Sequence, residues 1–220
     1  MLIGHYGPAL VLQRAFPRVP LWALFVSVQA VDVAWAVLVL AGVERASLQP
    51  GFTASNDLVL EYMPITHSLL SAVAWGFAMA LLWWLWQRRK VPGVATGALA
   101  IGLAVASHWL MDLPVHVADL PLAGGDSPRV GFGLWHNRWM AFGLEFIVFA
   151  GSWWLWARPR LANKRRQVLL GVGIALNAAT YFGPAPQQMG LLCVTMLAVY
   201  VGLAALARWV ERGEDQGSAA

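Results

Sequence analysis

Apolar residues in this chain fall into long runs, not into the strict alternation of a half-buried strand or the stripe of a surface helix. Six runs follow one another, at 21–43, 64–87, 92–112, 138–157, 167–182 and 188–210. Each is near the ~20 residues a helix needs to cross hydrocarbon. A shorter apolar stretch at 2–16 precedes them and is closed by Arg14, Pro17, Arg18 and Pro20. Polar, proline- or glycine-bearing segments separate the runs, among them 44–63, 113–137 and the Gly183-Pro184-Ala185-Pro186 turn. The pattern predicts an all-α, polytopic membrane bundle with six full spans plus a short N-terminal inserted helix. It forms one domain over 1–212, with a disordered polar tail at 213–220.

Composition agrees with the pattern. Of 220 residues, 59% are hydrophobic and only 12% are charged, about half the charged share of a soluble domain (~25%). The formal net charge is +4, which in a soluble protein would point to nucleic acid. Here all the lysines and arginines except Arg45, Arg129 and Arg138 sit at 14–18, 88–90, 158–166 and 208–212. Those segments lie on one side of an alternating bundle, so the charge encodes topology and nucleic acid is not expected as a partner. The basic side is read as cytoplasmic, in a bacterial inner membrane, with the C-terminus inside and the loops at 44–63, 113–137 and 183–187 facing outward. Trp83, Trp84 and Trp86 precede Arg88, and Trp153, Trp154 and Trp156 precede Arg158, as in an interfacial aromatic belt. The single cysteine, Cys193, excludes an intramolecular disulfide.

Against this apolar background the ionisable residues stand out. Counting helical rise from the basic turns puts His5, Asp32, Glu145, His108, Asp112 and His67 at ~18–31 Å, all in the outer half of the bilayer. His108 and Asp112 are four apart, on one helix face. That spacing lets an imidazole and a carboxylate share a metal, or lets the carboxylate orient the ring. The same helix carries Gly93 and Gly97, and Ala98, Gly102 and Ala106, small residues that permit close packing. His5, Asp32, His67, His108 and Asp112 are the candidate metal ligands, and Glu61 and Glu145 the candidate general bases. His116 and Asp119 read as a lid or rim, and His136 as an interfacial residue. Asp32 and Glu145 could instead be structural acids bonded to Gln29 or Asn177.

Three short motifs, in order, carry a resemblance: Gly4-His5, Thr66-His67-Ser68-Leu69, and Ser107-His108 followed by Asp112. With Asp32 as the acid late in the first hydrophobic hairpin, they resemble the bacterial inner-membrane metal-dependent hydrolases, a family with a member under SOS control. Asp119–Leu122 and Gly133–Trp135 are similar to features of that family's uncharacterised membrane relatives. The family's Asp-x-Asp-His group is reduced here to Asp32, and Met63-Pro64 stand where it has His-Arg, which leaves Glu61 as a stand-in ligand. The resemblance implies a metal-dependent hydrolase; a zinc-type divalent ion suits the His and Asp donors, and an outward-facing site at this depth suits a lipid or other amphipathic ester or phosphoester. The same cluster would also serve a transporter or proton-coupled membrane protein, a bis-histidine haem carrier, or a bundle in which polar residues only join helices.

Overall fold

The computed structural model describes residues 1–89 and 93–217, and it is helical with two small hairpins. The helices are α1 (Tyr6–Ala15), α2 (Leu21–Val28), α3 (Ala30–Leu40), α4 (Leu69–Gln87), α5 (Val94–Asp112), α6 (Arg138–Ala157), α7 (Lys164–Phe182) and α8 (Met189–Gly217). Strands β1 (Arg45–Leu48) and β2 (Leu58–Tyr62) pair antiparallel, as do β3 (Leu120–Pro121) and β4 (Arg129–Val130). Both hairpins lie in segments expected to be plain loops. They satisfy backbone groups that would otherwise be left unpaired beside the bundle.

Six full spans are not what the structure has. Among the described residues, four helices are long and apolar enough to cross a membrane: α4, α5, α6 with its continuation to Arg160, and α8 to Gly213. The expected first span is instead the pair α2 and α3, bent by 46° at Gln29. Counting that pair as one broken span gives up to five. The expected fifth span, α7, has the length but not the apolar content, because it opens on Lys164, Arg165 and Arg166 and carries Gln167, Asn177 and Thr180. The second run is helical only from Leu69, where Ser68 caps the helix by accepting from Ser71 N. Of the expected disordered tail, α8 continues to Gly217, and 218–220 lie outside the described residues, as does Pro92, the expected start of the third run.

The basic segments do gather at one end. Trp156 Nε1 donates to Gln13 at 2.6 Å, Arg14 to Leu155 O at 2.6 Å and Arg165 to Trp209 O at 2.8 Å, while Leu21 N donates to Glu211. Guanidinium groups cover the tryptophans there, Arg166 lying 4.0 Å from the Trp156 ring and Arg158 4.7 Å from Trp154. The largest apolar core also sits among α1, α2, α5, α6, α7 and α8. Helix α1 and the residues before it are part of it, with Ile3, Tyr6, Ala9 and Leu10 nearly inaccessible. The tightest crossing is α4 on α5. A Cβ on Gly76 would lie 2.9 Å from the Gly102 carbonyl, and one on Gly102 3.1 Å from that of Gly76, so the two backbones touch.

Candidate metal centre

At the opposite end, five elements deliver polar side chains to one buried point. Asp32 comes from the first turn of α3, a position that exists because the helix breaks at Gln29. A helix N-terminus favours a carboxylate there. The break also frees the Val28 carbonyl, which His108 Nδ1 meets at 2.7 Å. This fixes the tautomer and turns His108 Nε2 inward.

His67 is set by a second relay. Gly42, at φ +72°, ends α3, and Val43 N and Glu44 N both return to Leu38 O. Glu44 is thereby folded inward and buried. It accepts from Ile65 N at 2.9 Å, Thr66 N at 3.1 Å and Thr66 Oγ1 at 2.6 Å. Thr66 Oγ1 lies 2.8 Å from His67 Nδ1, so His67 Nε2 also faces the centre. Glu145 shapes the third approach. It accepts from Leu2 N and Gly4 N at 3.0 Å each and from the Tyr181 hydroxyl at 2.8 Å. Gly4 packs closely here, since a Cβ there would meet Met1 Sδ at 2.5 Å and displace that side chain. The turn held this way stacks the His5 ring on that of His108, centroids 3.8 Å apart and 7° from parallel.

The result is a compact donor set. His67 Nε2 is 3.2 Å from Asp32 Oδ1, and His108 Nε2 is 3.3 Å from the same atom and 3.2 Å from Asp112 Oδ2. His5 Nε2 is 3.1 Å from Asp112 Oδ1. Asp32 is anchored from behind by the Tyr200 hydroxyl at 2.7 Å. Two triads, His5–Asp32–His108 and His67–His108–Asp112, have ligand atoms within 4.8 Å of one another. All five expected ligands are therefore together and buried. Moreover, His5 Nε2 and His108 Nε2 lack a hydrogen-bond partner although carboxylate oxygens are near. With Nδ1–H donated to Val28 O, His108 Nε2 carries a lone pair, which a carboxylate oxygen cannot satisfy but a cation can. A buried polar atom without a partner costs ~1–3 kcal/mol, and a shared cation removes that cost for both rings. Three imidazoles and two carboxylates form a donor set that could hold a divalent metal ion.

Other expectations fare differently. Glu61 does not reach the cluster: strand alternation turns Leu60 inward and leaves Glu61 exposed on β2. Glu145 has both oxygens engaged as described, so its observed work is positioning. Neither Gln29 nor Asn177 bonds Asp32 or Glu145; they donate to Leu2 O and Phe142 O. His136 is exposed. His116 and Asp119 are more central than a rim. His116 is 3% exposed, with Nε2 3.4 Å from Asp112 Oδ1 and Nδ1 3.0 Å from Asp119 Oδ1. Burial pulls its pKa down, but Asp112 and Asp119 outweigh this and hold it above its ordinary value. Trp135 covers it at 4.1 Å. Gly131 allows that cover, because a Cβ there would collide with the carbonyls of Val117 and His116. The Met1 amino group also reaches Asp112 Oδ1, at 2.5 Å.

A cavity of about 650 Å3 opens against the cluster, within the ~300–1,000 Å3 range of small-molecule sites. Asp32, His67, Asp112, His116 and Glu145 form its polar wall, and most of the remainder is apolar. The chain matches no protein-family model, no curated protein and no solved structure.

Proposed function

We propose that the protein is a membrane-embedded, metal-dependent hydrolase of zinc type. Its site faces outward from a bacterial inner membrane, its C-terminus is cytoplasmic, and it acts on a lipid or other amphipathic ester or phosphoester. The observation that carries this is the convergence of His5, His67 and His108 on Asp32 and Asp112, with two buried Nε2 atoms left unpaired. The order of the Gly-His, Thr-His-Ser-Leu and Ser-His-x3-Asp motifs supports it through the family resemblance. His5, Asp32, His67, His108 and Asp112 would hold the ion. When bound, a zinc-type ion lowers the pKa of a coordinated water toward neutrality and polarises an ester or phosphoryl oxygen.

The chain's own residues do the rest. Val28 O and the Thr66–Glu44 relay keep His108 and His67 in the tautomer that offers Nε2 inward. Tyr200 leaves Asp32 Oδ1 free for the centre by occupying Oδ2. His116, held by Asp119, puts a polar nitrogen on the cavity wall beside Asp112. The apolar remainder of the cavity excludes water around a bound chain.

Elemental analysis after purification from zinc-supplemented cells tests the reading. About one metal ion per chain is expected, and none in the His67→Ala, His108→Ala double variant. A folded wild-type protein free of metal would sink the proposal.

A further inference from the structure

The cavity beside the cluster has α7 and α8 as its long walls. These helices are tied at the basic end, where Arg165 donates to Trp209 O at 2.8 Å and lies 4.7 Å from the Trp209 ring. Toward the cluster end the cavity reaches between them, lined from Leu176 to Tyr181 on α7 and from Leu191 to Val199 on α8. The α8 part alone is ~12 Å of helix. Ala179, Thr180, Leu191 and Thr195 line this cavity and are also exposed. Residues on an internal cavity and on the outer surface at once mark an opening, and this one runs along the helices up to the turn after α7, where Pro184, Ala185 and Gln187 also line the cavity and are exposed. Beside it Val194 is 56% exposed and Val201 71%, an apolar surface that in a membrane is covered by lipid chains.

The slot has two chemistries. Its inner wall is the donor cluster, its flanks on α7 and α8 are mostly apolar with Thr180 and Thr195 among them, and Asn56, Asp57 and Gln187 line the end toward the outward loops. No lysine or arginine is among the residues that line it. The cationic groups at its inner wall, the Met1 amino group and His116, are both drawn to Asp112, so an anionic group inside would be met chiefly by a cation held by the cluster, and the flanks on α7 and α8 suit an apolar remainder. We infer that a glycerophospholipid of the surrounding bilayer enters sideways between α7 and α8, its acyl chain along the slot and its phosphate toward the His/Asp cluster. This rests on the metal reading for the phosphate, but not for the acyl chain. A substrate arriving from water would need only the end of the opening at residues 184–187, whereas the length along α7 and α8 meets hydrocarbon, and burying an acyl chain along that slot supplies affinity in proportion to apolar area.

Lipid photolabelling tests the route. The full chain is placed in phosphatidylethanolamine–phosphatidylglycerol vesicles containing phosphatidylethanolamine with a diazirine on its acyl chain. It is then irradiated, digested and mapped by mass spectrometry. Lipid around the bundle can label Phe77, which is 75% exposed, but not Trp35, which lines the cavity and is 2% exposed. Label on Trp35 and on Leu2, which also lines the cavity, is the expected result. Thr195→Trp should reduce it about tenfold by filling the slot while Phe77 is labelled as before. Wild-type protein labelled at Phe77 and not at Trp35 or Leu2 overturns the inference without recourse to any variant. So does a water-soluble diazirine-bearing aryl phosphate that labels Trp35 as strongly as the lipid. Metal content of the same samples separates the two readings. Cavity label in protein without zinc supports the lipid slot and removes the hydrolase, and zinc without cavity label does the reverse.

Discussion

Replacing Glu145 separates holding from chemistry. The side chain is 1% exposed and accepts three hydrogen bonds, from Leu2 N, Gly4 N and Tyr181 Oη. Glu145→Ala strands all three donors in a buried place. Each stranded donor costs ~1–3 kcal/mol. The Tyr181 hydroxyl can swing partly away, so the net loss is about 4 kcal/mol, a large part of a typical total of ~5–15 kcal/mol. For a chain of this size each kcal/mol shifts Tm by ~2–4 °C, so a drop of about 10 °C is expected. Glu145→Gln is a milder change. Its carbonyl oxygen can keep both backbone N–H groups and its amide can donate to the tyrosine oxygen, for a loss of ~1 kcal/mol. Thirteen tryptophans make intrinsic fluorescence a direct unfolding probe in detergent. Metal content is the second readout, because the turn that Glu145 holds is the one that delivers His5, and a misplaced supporting group typically costs ~10–100-fold in affinity. Glu145→Ala protein that melts with wild type and keeps its metal would refute the positioning role. A Glu145→Gln protein with normal melting and normal metal but no hydrolysis would restore Glu145 as a general base.

Asp112 faces His5, His108 and His116, so Asp112→Asn should strip most of the metal while the bundle still inserts; unchanged metal content would make Asp112 a packing residue. Thr66→Val cuts the link from Glu44 to His67 without touching a ligand and should weaken metal binding ~10–100-fold in a competitive chelator titration; unaltered affinity would show that the relay does not orient the ring. Gly76→Val forces a side chain onto the Gly102 carbonyl, 2.9 Å from the first added carbon. It should part α4 from α5 and lower Tm by several degrees, a cost of ~1–3 kcal/mol, whereas wild-type melting would mean that the crossing is loose.

The candidate metal ligands are legible because hydrocarbon makes every ionisable group conspicuous. His5, Asp32, His67, His108 and Asp112 could be picked out from the apolar runs and are together in space. What surrounds them was harder to see. His116 completes a four-residue stripe with His108 and Asp112, but Pro114 reads as the end of the helix. The chain nevertheless continues for one more turn, with His116 N bonded to Asp112 O at 3.0 Å. Glu44 looks like any loop acid beside Glu61. Only the left-handed turn at Gly42 tells them apart, and only Glu44 is folded inward. Tyr200 lies in a run with no charge before Arg208, so nothing in its pattern advertises the bond to Asp32. The bend at Gln29 is silent for the same reason: hydropathy records how apolar a run is, not whether its hydrogen bonds are continuous.

That bend has a consequence for how the centre tolerates mutation over time. One of its fixed points is a backbone oxygen, the Val28 carbonyl that meets His108 Nδ1. No substitution can delete a carbonyl, so position 28 is free to drift among residues that pack equally well, and sequence comparison would rank it as unimportant. Insertion or deletion of one residue between 21 and 40 is another matter. It would slide the break along the helix, withdraw the oxygen from His108 and carry Asp32 out of reach in the same stroke. The centre is thus tolerant of spelling errors in this segment and intolerant of changes in its length.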